Sequence, residues 1–403
     1  MTTIPDFNKA TFAPGDAIDN QYFPLKPGTI YVYEGEKKDE QTGEVDRETN
    51  KFAVTFQTQN IAGVTATEVR DTAWANDFLK EDTRDWFAQD ADGNVWYLGE
   101  FTTEYEYDDK DNFIGTNNKG SWKAGVNGAK PGYIMEANPQ VGDNYYQEFA
   151  PNDRAVDQAE VISRDRTISP RLGYFSNVLQ TLESTDIEPG VFSYKYNAPG
   201  IGLVLTEELD KNLKPDFTSE LASITSVTPE AFTSGRGTEG NDAIDGNNKD
   251  NILRGERGND LLKGFGGNDR LLGQDGNDFL VGGSGSDTLK GGNGQDILIG
   301  GKGADILNGG KDRDRFVFRT LEHKGDLIQD FTRQDVIVLA EIFDSENYGS
   351  SNPFEDYLQI QQVSSRTVIR IDPDGDAGSN PFQVLATLQN TNANILSDNN
   401  FVV

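Results

Sequence analysis

Carboxylates recur along one stretch of this chain at a fixed interval of nine residues: Asp242, then Asn251 in the second place, then Asp260, Asp269, Asp278, Asp287, Asp296, Asp305 and Asp314. Two residues after each stands an apolar side chain, in turn Ile244, Leu253, Leu262, Leu271, Leu280, Leu289, Leu298, Leu307 and Phe316. Glycine precedes most of the aspartates by two residues, so the unit reads G-G-x-G-x-D-x-U-x, with U apolar. A turn that aims carbonyl oxygens at one point needs residues that tolerate positive φ, which glycine does at little steric cost. The aspartate adds a hard anionic oxygen. Calcium takes about six to eight such oxygens at about 2.3–2.6 Å, backbone carbonyls among them. The chemistry these residue types imply is coordination of several calcium ions.

The elements that position those oxygens follow from the same unit. One large apolar residue per unit cannot bury a core, whereas stacked units can pack theirs into a continuous ladder. The x-U-x segment is therefore expected as a short strand and the glycine-rich part as the turn that feeds it. The expected calcium positions are Asp242, Asp260, Asp269, Asp278, Asp287, Asp296, Asp305 and Asp314. The turn glycines Gly258, Gly267, Gly276, Gly282, Gly285, Gly291, Gly294, Gly300 and Gly303 go with them. The most regular units run Gly282–Asp287, Gly291–Asp296 and Gly300–Asp305. At the ends Lys249 and Asp312 replace glycine and Asn251 replaces aspartate, which suits capping units. A disordered Gly/Asp-rich linker would not keep its leucines in phase with its aspartates.

On these residues the stretch resembles the RTX, or hemolysin-type, calcium-binding nonapeptide repeats. The resemblance implies a parallel β-roll in which two units make one coil and calcium sits between loops on the same side. Asp260 would then share ions with Asp278 and Asp296, and Asp269 with Asp287 and Asp305. The segments Asp314–Phe318, Asp326–Phe331 and Asp335–Leu339, with the final Asn400-Phe401-Val402-Val403, are similar to the region that follows the repeats in type I secreted proteins. That likeness implies an uncleaved C-terminal export signal read by a type I secretion machinery. The implied location is secreted, extracellular or at the cell surface.

Composition agrees with a cation-binding surface. The chain has 36 basic and 67 acidic residues, a net charge of −31, and no cysteine. A surface this negative repels phosphate backbones and attracts divalent cations, so nucleic acid is not expected as a partner. Neither disulfides nor thiolate metal sites can hold the chain together. Residues 1–20 show no basic stretch followed by an apolar run, and no apolar stretch reaches 18 residues, so neither a cleaved N-terminal signal nor a membrane span is expected. Clustered aspartates repel one another without a cation, and the repeats offset little ordering entropy by burial. The array should stay loose at low calcium and fold where calcium is abundant, because ion binding to a site absent from the unfolded chain is itself folding free energy.

Residues 15–208 read as a different domain. They hold all four tryptophans, Trp74, Trp86, Trp96 and Trp122, and alternating segments at Lys51–Gln57, Thr65–Arg70 and Asp85–Gln89. Turn residues at Asp90–Asn94, Asn127-Gly128 and Glu188-Pro189-Gly190 predict an antiparallel hairpin fold. Tyr22–Gly35 and Tyr196–Val204 resemble segments of a bacterial exported or lipoprotein β-domain, which implies a curved antiparallel sheet or half-barrel. The whole chain is then all-β. An antiparallel half-barrel-like domain is followed by a linker at 209–235 with one short helix, a parallel β-roll at 236–318, and a small C-terminal β cap with the secretion region at 319–403.

Catalysis has few candidates. The single histidine is His323, read as a surface residue beyond the repeats, and neither H-E-x-x-H nor G-x-S-x-G occurs. Glu100, Glu104 and Glu106 lie among Trp96, Tyr97, Tyr105 and Tyr107, where paired carboxylates beside aromatics could cleave glycosidic bonds. Same-strand spacing gives proximity, not the opposed placement that such cleavage needs, and a solvated face is the simpler reading. Asp108-Asp109-Lys110-Asp111-Asn112 and Asp372-Pro373-Asp374-Gly375-Asp376 are further acidic loops with a claim on calcium, although the second has Ala377 and Gln383 where an EF-hand loop needs glycine and glutamate. The leading expectation is a calcium-binding exoprotein, not an enzyme, whose first domain binds cell-surface polysaccharide. The alternative is a carboxylate-dependent extracellular polysaccharide hydrolase.

Overall fold

The computed structural model describes residues 2–12, 17–38, 45–232, 235–343, 356–373 and 381–403. Its described residues fall into two compact units, one of Met1–Asn76, Lys80–Glu104 and Asn117–Phe232, the other of Asp77–Leu79, Tyr105–Thr116 and Thr233–Val403.

The first unit is one antiparallel sheet. From Glu148–Phe149 the strands run through Lys130–Met135, Val95–Tyr107, Phe78–Gln89, Val64–Ala75, Val45–Ile61 and Thr29–Lys38. They continue through Pro215–Ser226, Gly202–Leu209, Phe192–Ala198, Phe175–Thr185, Asp157–Ile168 and Asn144–Tyr146. From Val95–Tyr107 to Thr29–Lys38, and again from Pro215–Ser226 to Asp157–Ile168, each strand pairs with its neighbour in sequence, whereas Asn144–Tyr146 and Glu148–Phe149, adjacent in sequence, lie at opposite ends of the sheet. Alternation explains the strands: Val64, Ala66, Thr72 and Trp74 are buried along one of them while Thr65 and Thr67 to Glu68 stay more open. The 90–94 hairpin forms as its turn residues dictate, with the Asp90 carboxylate accepting the backbone N–H of Asp92 and Asn94 and the Trp96 indole N–H.

One expectation is corrected here. Residues 209–235, read as a linker, contain the strand Pro215–Ser226, which pairs with Thr29–Lys38 on one side and Gly202–Leu209 on the other. Phe217 and Leu221 are its buried residues. The Lys214-Pro215 step is the exit of a tight hairpin, in which Asp210 accepts the backbone N–H of Asn212 and Lys214. The short helix of that stretch is Pro229–Phe232.

In the second unit the repeats form two parallel sheets, built from alternate units. One contains Ala243–Asn247, Leu261–Gly266, Phe279–Ser284 and Ile297–Lys302; the other Ile252–Arg257, Arg270–Asp275, Thr288–Asn293 and Ile306–Lys311. The pairing register is one coil of two units: Leu262 lies beside Leu280 and Leu280 beside Leu298, while Leu271 lies beside Leu289 and Leu289 beside Leu307. These leucines are sealed from solvent and form one core with Leu253 and Phe316. The same core runs on through Phe318, Ile328, Ile337 and Leu388. Asp326–Ile328, Val336–Val338, Gln383–Leu388 and Phe401–Val402 extend the two sheets past the last repeat. The C-terminal region is therefore a continuation of the roll, covered by the antiparallel strands Leu358–Val363 and Arg366–Ile371.

Candidate metal centre and a buried acidic cavity

The central repeat aspartates divide their carboxylates between two tasks. Oδ1 accepts the backbone N–H of the aspartate one coil earlier: Asp278 from Asp260 at 2.9 Å, Asp287 from Asp269 at 2.7 Å, Asp296 from Asp278 at 2.8 Å and Asp305 from Asp287 at 2.8 Å. Oδ2 of Asp269, Asp278, Asp287, Asp296 and Asp305 is buried and makes no hydrogen bond. Burying an ionised oxygen with no partner is strongly unfavourable. The carboxyls respond: burial pushes Asp278 up to about 7 and Asp287 up to about 6. Burial, with Asp278 next in effect, pushes Asp296 up to about 10.

What surrounds these oxygens fits a hard cation. A Cβ added to Gly264, Gly273, Gly282 or Gly291 would fall closer than 3.0 Å both to Oδ2 of the aspartate five residues on and to the carbonyl oxygen of Gly282, Gly291, Gly300 or Gly309 respectively. Carboxylate and carbonyl oxygens thus converge on a small space that only glycine leaves open. Among the described residues no three His, Cys, Asp or Glu side chains gather as a metal cluster. A calcium ion here would take one aspartate from each of two coils and draw its remaining oxygens from the backbone, as an oxygen-rich, adaptable coordination shell allows.

The ladder of expected aspartates is brought together; the supporting cast is larger than the sequence reading held. Gly255, Gly264, Gly273 and Gly309 occupy the same cradle position as Gly282, Gly291 and Gly300, and their signal was their constant place five residues before the aspartate. Asn241, Asn259, Asn268 and Asn277, each next to an aspartate, accept the backbone N–H of the equivalent residue one coil later. Asp326 and Asp335 take up the ladder past the repeats, accepting the N–H of Asp305 and Asp314 at 3.0 Å each. Their spacing of 21 residues breaks the nine-residue count and hides them from it.

The other acidic loops do not match. Asp108 accepts its own turn's N–H groups, from Lys110 and Asn112, and the Asn112 side-chain amide. Those bonds hold its carboxyl below the usual range against the opposing effect of partial burial. Most of the Asp372–Asp376 loop lies outside the described residues. His323, expected at the surface, is half-buried, with Nδ1 enclosed.

The three glutamates separate. Glu104 is exposed and accepts the Asn117 amide at 2.7 Å, and Glu106 is exposed as well. Glu100 instead lines a cavity of about 440 Å³ inside the first unit, together with Asp71, Asp85, Glu148, Asp157 and Lys195. A bulge beside Gly99, opposite Trp86-Phe87, sets Tyr97 and Glu100 on one face. The Tyr97 hydroxyl lies 2.5 Å from Asp85 and 2.9 Å from Glu100, and Asp85 and Glu100 are cross-strand partners. Burial, the largest cause, raises Glu100 to about 7 and Asp85 well above the carboxylate range. These carboxylates come from separate strands, and no sequence spacing links them.

The model of the RTX calcium-binding nonapeptide repeat matches residues 245–280 and 281–316. The chain thus carries RTX calcium-binding repeats, and they form the parallel roll described above. No curated protein matches the chain. Among solved structures, an exported protein with a YmcC-like fold from Bacteroides fragilis is 15% identical with a TM-score of 0.32, covering 51% of this chain and 100% of its own. A lipoprotein from Parabacteroides distasonis is 14% identical with a TM-score of 0.31, covering 51% of this chain and 99% of its own. The AlgE6R3 subunit of the Azotobacter vinelandii mannuronan C5-epimerase is 24% identical with a TM-score of 0.20, covering 41% of this chain and 80% of its own.

Proposed function

We propose that this is a secreted protein whose repeats fold on binding several calcium ions after export by a type I machinery, and whose first unit is a non-enzymatic module for cell-surface polysaccharide. The observation that carries the calcium part is the row of buried, hydrogen-bond-free Oδ2 atoms on Asp269, Asp278, Asp287, Asp296 and Asp305, the first four of them beside backbone carbonyls. Binding a divalent ion there removes the electrostatic conflict that otherwise opposes the roll. Among the described residues no helix is long and apolar enough to cross a membrane.

The test is retention of the full chain on purified bacterial and algal polysaccharides in millimolar calcium and in chelator. Calcium-dependent retention without product supports the reading; no retention on any of them contradicts its polysaccharide part. The second reading, a polysaccharide hydrolase, is favoured by one observation, the pairing of Glu100 with Asp85 in a cavity. It predicts new reducing ends in the same assay, lost in Glu100→Gln.

A further inference from the structure

We propose that the cavity of the first unit is a binding site for a small organic cation, an amine or quaternary ammonium on a carbon body. This inference stands apart from the polysaccharide reading.

The cavity is built for positive charge. Of the side chains that line it, eight are carboxylates and one, Lys195, is a cation. Glu148 is only 5% exposed, and its Oε2 makes no hydrogen bond. The Trp122 indole and the Asp157 carboxyl both interact with the Glu148 carboxyl, while Oε2 itself is left without a hydrogen-bond partner. Asp85 is 7% exposed and shares the Tyr97 hydroxyl with Glu100. A phenol has one proton and serves one acceptor, so the other carboxyl must keep a proton of its own. The site is short of positive charge at this point, and a ligand cation is what would supply it.

Lys195 shows that the cavity accepts such a group. Its ammonium sits 2.6 Å from Glu183. Although burial alone would drive a lysine toward neutrality, Glu183, Asp157 and Asp71 keep it protonated. Seven aromatic side chains share the wall. Phe87 and Tyr97 stack with centroids 4.9 Å apart, and Tyr31 packs edge-on against Phe52. Aromatic faces attract cations by their quadrupole, and more so where water is excluded. Apolar walls with a few charged groups are the usual make-up of a small-molecule site. A bare metal ion would leave these rings without a partner, and among the described residues no three metal-ligating side chains come together.

The probe is spermidine, titrated calorimetrically into the full chain at pH 7.5 in calcium, in two buffers of different ionisation enthalpy. We expect saturable binding with release of protons, because the ligand charge lets Glu100 and Asp85 ionise. Glu148→Gln and Asp85→Asn should each weaken binding at least tenfold, and Glu188→Gln, on an exposed turn, should not. Tetraethylammonium should compete, whereas neutral 1,8-octanediol should not bind. No heat from either cation, equal binding of octanediol, or unchanged affinity in both cavity variants would overturn the proposal. If the variants alter tryptophan emission, the comparison of spermidine with octanediol on the unmodified protein decides alone.

Discussion

Oδ1 of Asp278 accepts the backbone N–H of Asp260 at 2.9 Å, one full coil away, while Oδ2 of Asp278 is buried with no hydrogen bond at all. The first contact fixes where the aspartate points. The second leaves a charge that the fold alone does not compensate, and that asymmetry ties the roll to calcium.

Replacing Asp287 by Asn separates the two roles. An amide oxygen can still accept the Asp269 N–H, but the anionic Oδ2 is gone. The Asp287→Asn protein should need at least tenfold more calcium to reach half-maximal folding and should lose cooperativity. Asp242 stands at the start of the array with its Oδ2 already accepting the Thr238 N–H and hydroxyl, so Asp242→Asn should shift the midpoint much less. Calcium titrations followed by circular dichroism on both variants check this; equal shifts would contradict it.

The repeat ladder was legible because one constraint fixes everything in it. A coil of two nine-residue units places every U side chain in a single row, so Leu262, Leu280 and Leu298 announce both the fold and its register. Asp326 and Asp335 were hidden because an insertion of three residues breaks the count without breaking the stack. Pro215–Ser226 was hidden because its lysine, proline and acidic residues look like turn material, and only its partners Thr29–Lys38 and Gly202–Leu209 make it a strand. The cavity was illegible for a different reason. Asp71, Asp85, Glu100, Glu148 and Asp157 each come from a different strand, and their meeting depends on sheet curvature that no local pattern encodes.

Backbone conformation supplies a second prediction. Gln274 has φ +88° at the place where Gly283, Gly292, Gly301 and Gly310 also have positive φ. A left-handed conformation costs a non-glycine residue about 1–2 kcal/mol. Gln274→Gly should therefore raise the stability of the calcium-loaded roll by about 1 kcal/mol in urea unfolding. Gly285→Ala should do the reverse and more, since its Cβ would collide with the Gly267 carbonyl. A neutral outcome for Gly285→Ala would contradict the close stacking of coils.

The first unit should be sensitive to alkali. Glu100 and Asp71 are raised to about 7 in the folded state, chiefly by burial, from the ordinary carboxylate range. A carboxyl raised on folding leaves stability intact below its unfolded value and removes it as pH rises through the folded value. Melting of the first unit, followed by tryptophan fluorescence, should move to lower temperature between pH 5 and pH 8, each group contributing on the order of 1–3 kcal/mol. Melting that rises across this interval would contradict the burial of these two acids.

The most direct measurement is a calcium titration of the full chain, started in chelator and followed by far-ultraviolet circular dichroism. Calcium should raise β content steeply and cooperatively, as aspartates on successive coils lose their mutual repulsion together, and chelator should reverse it. A spectrum that does not change with calcium would contradict the claim that the ion folds the roll.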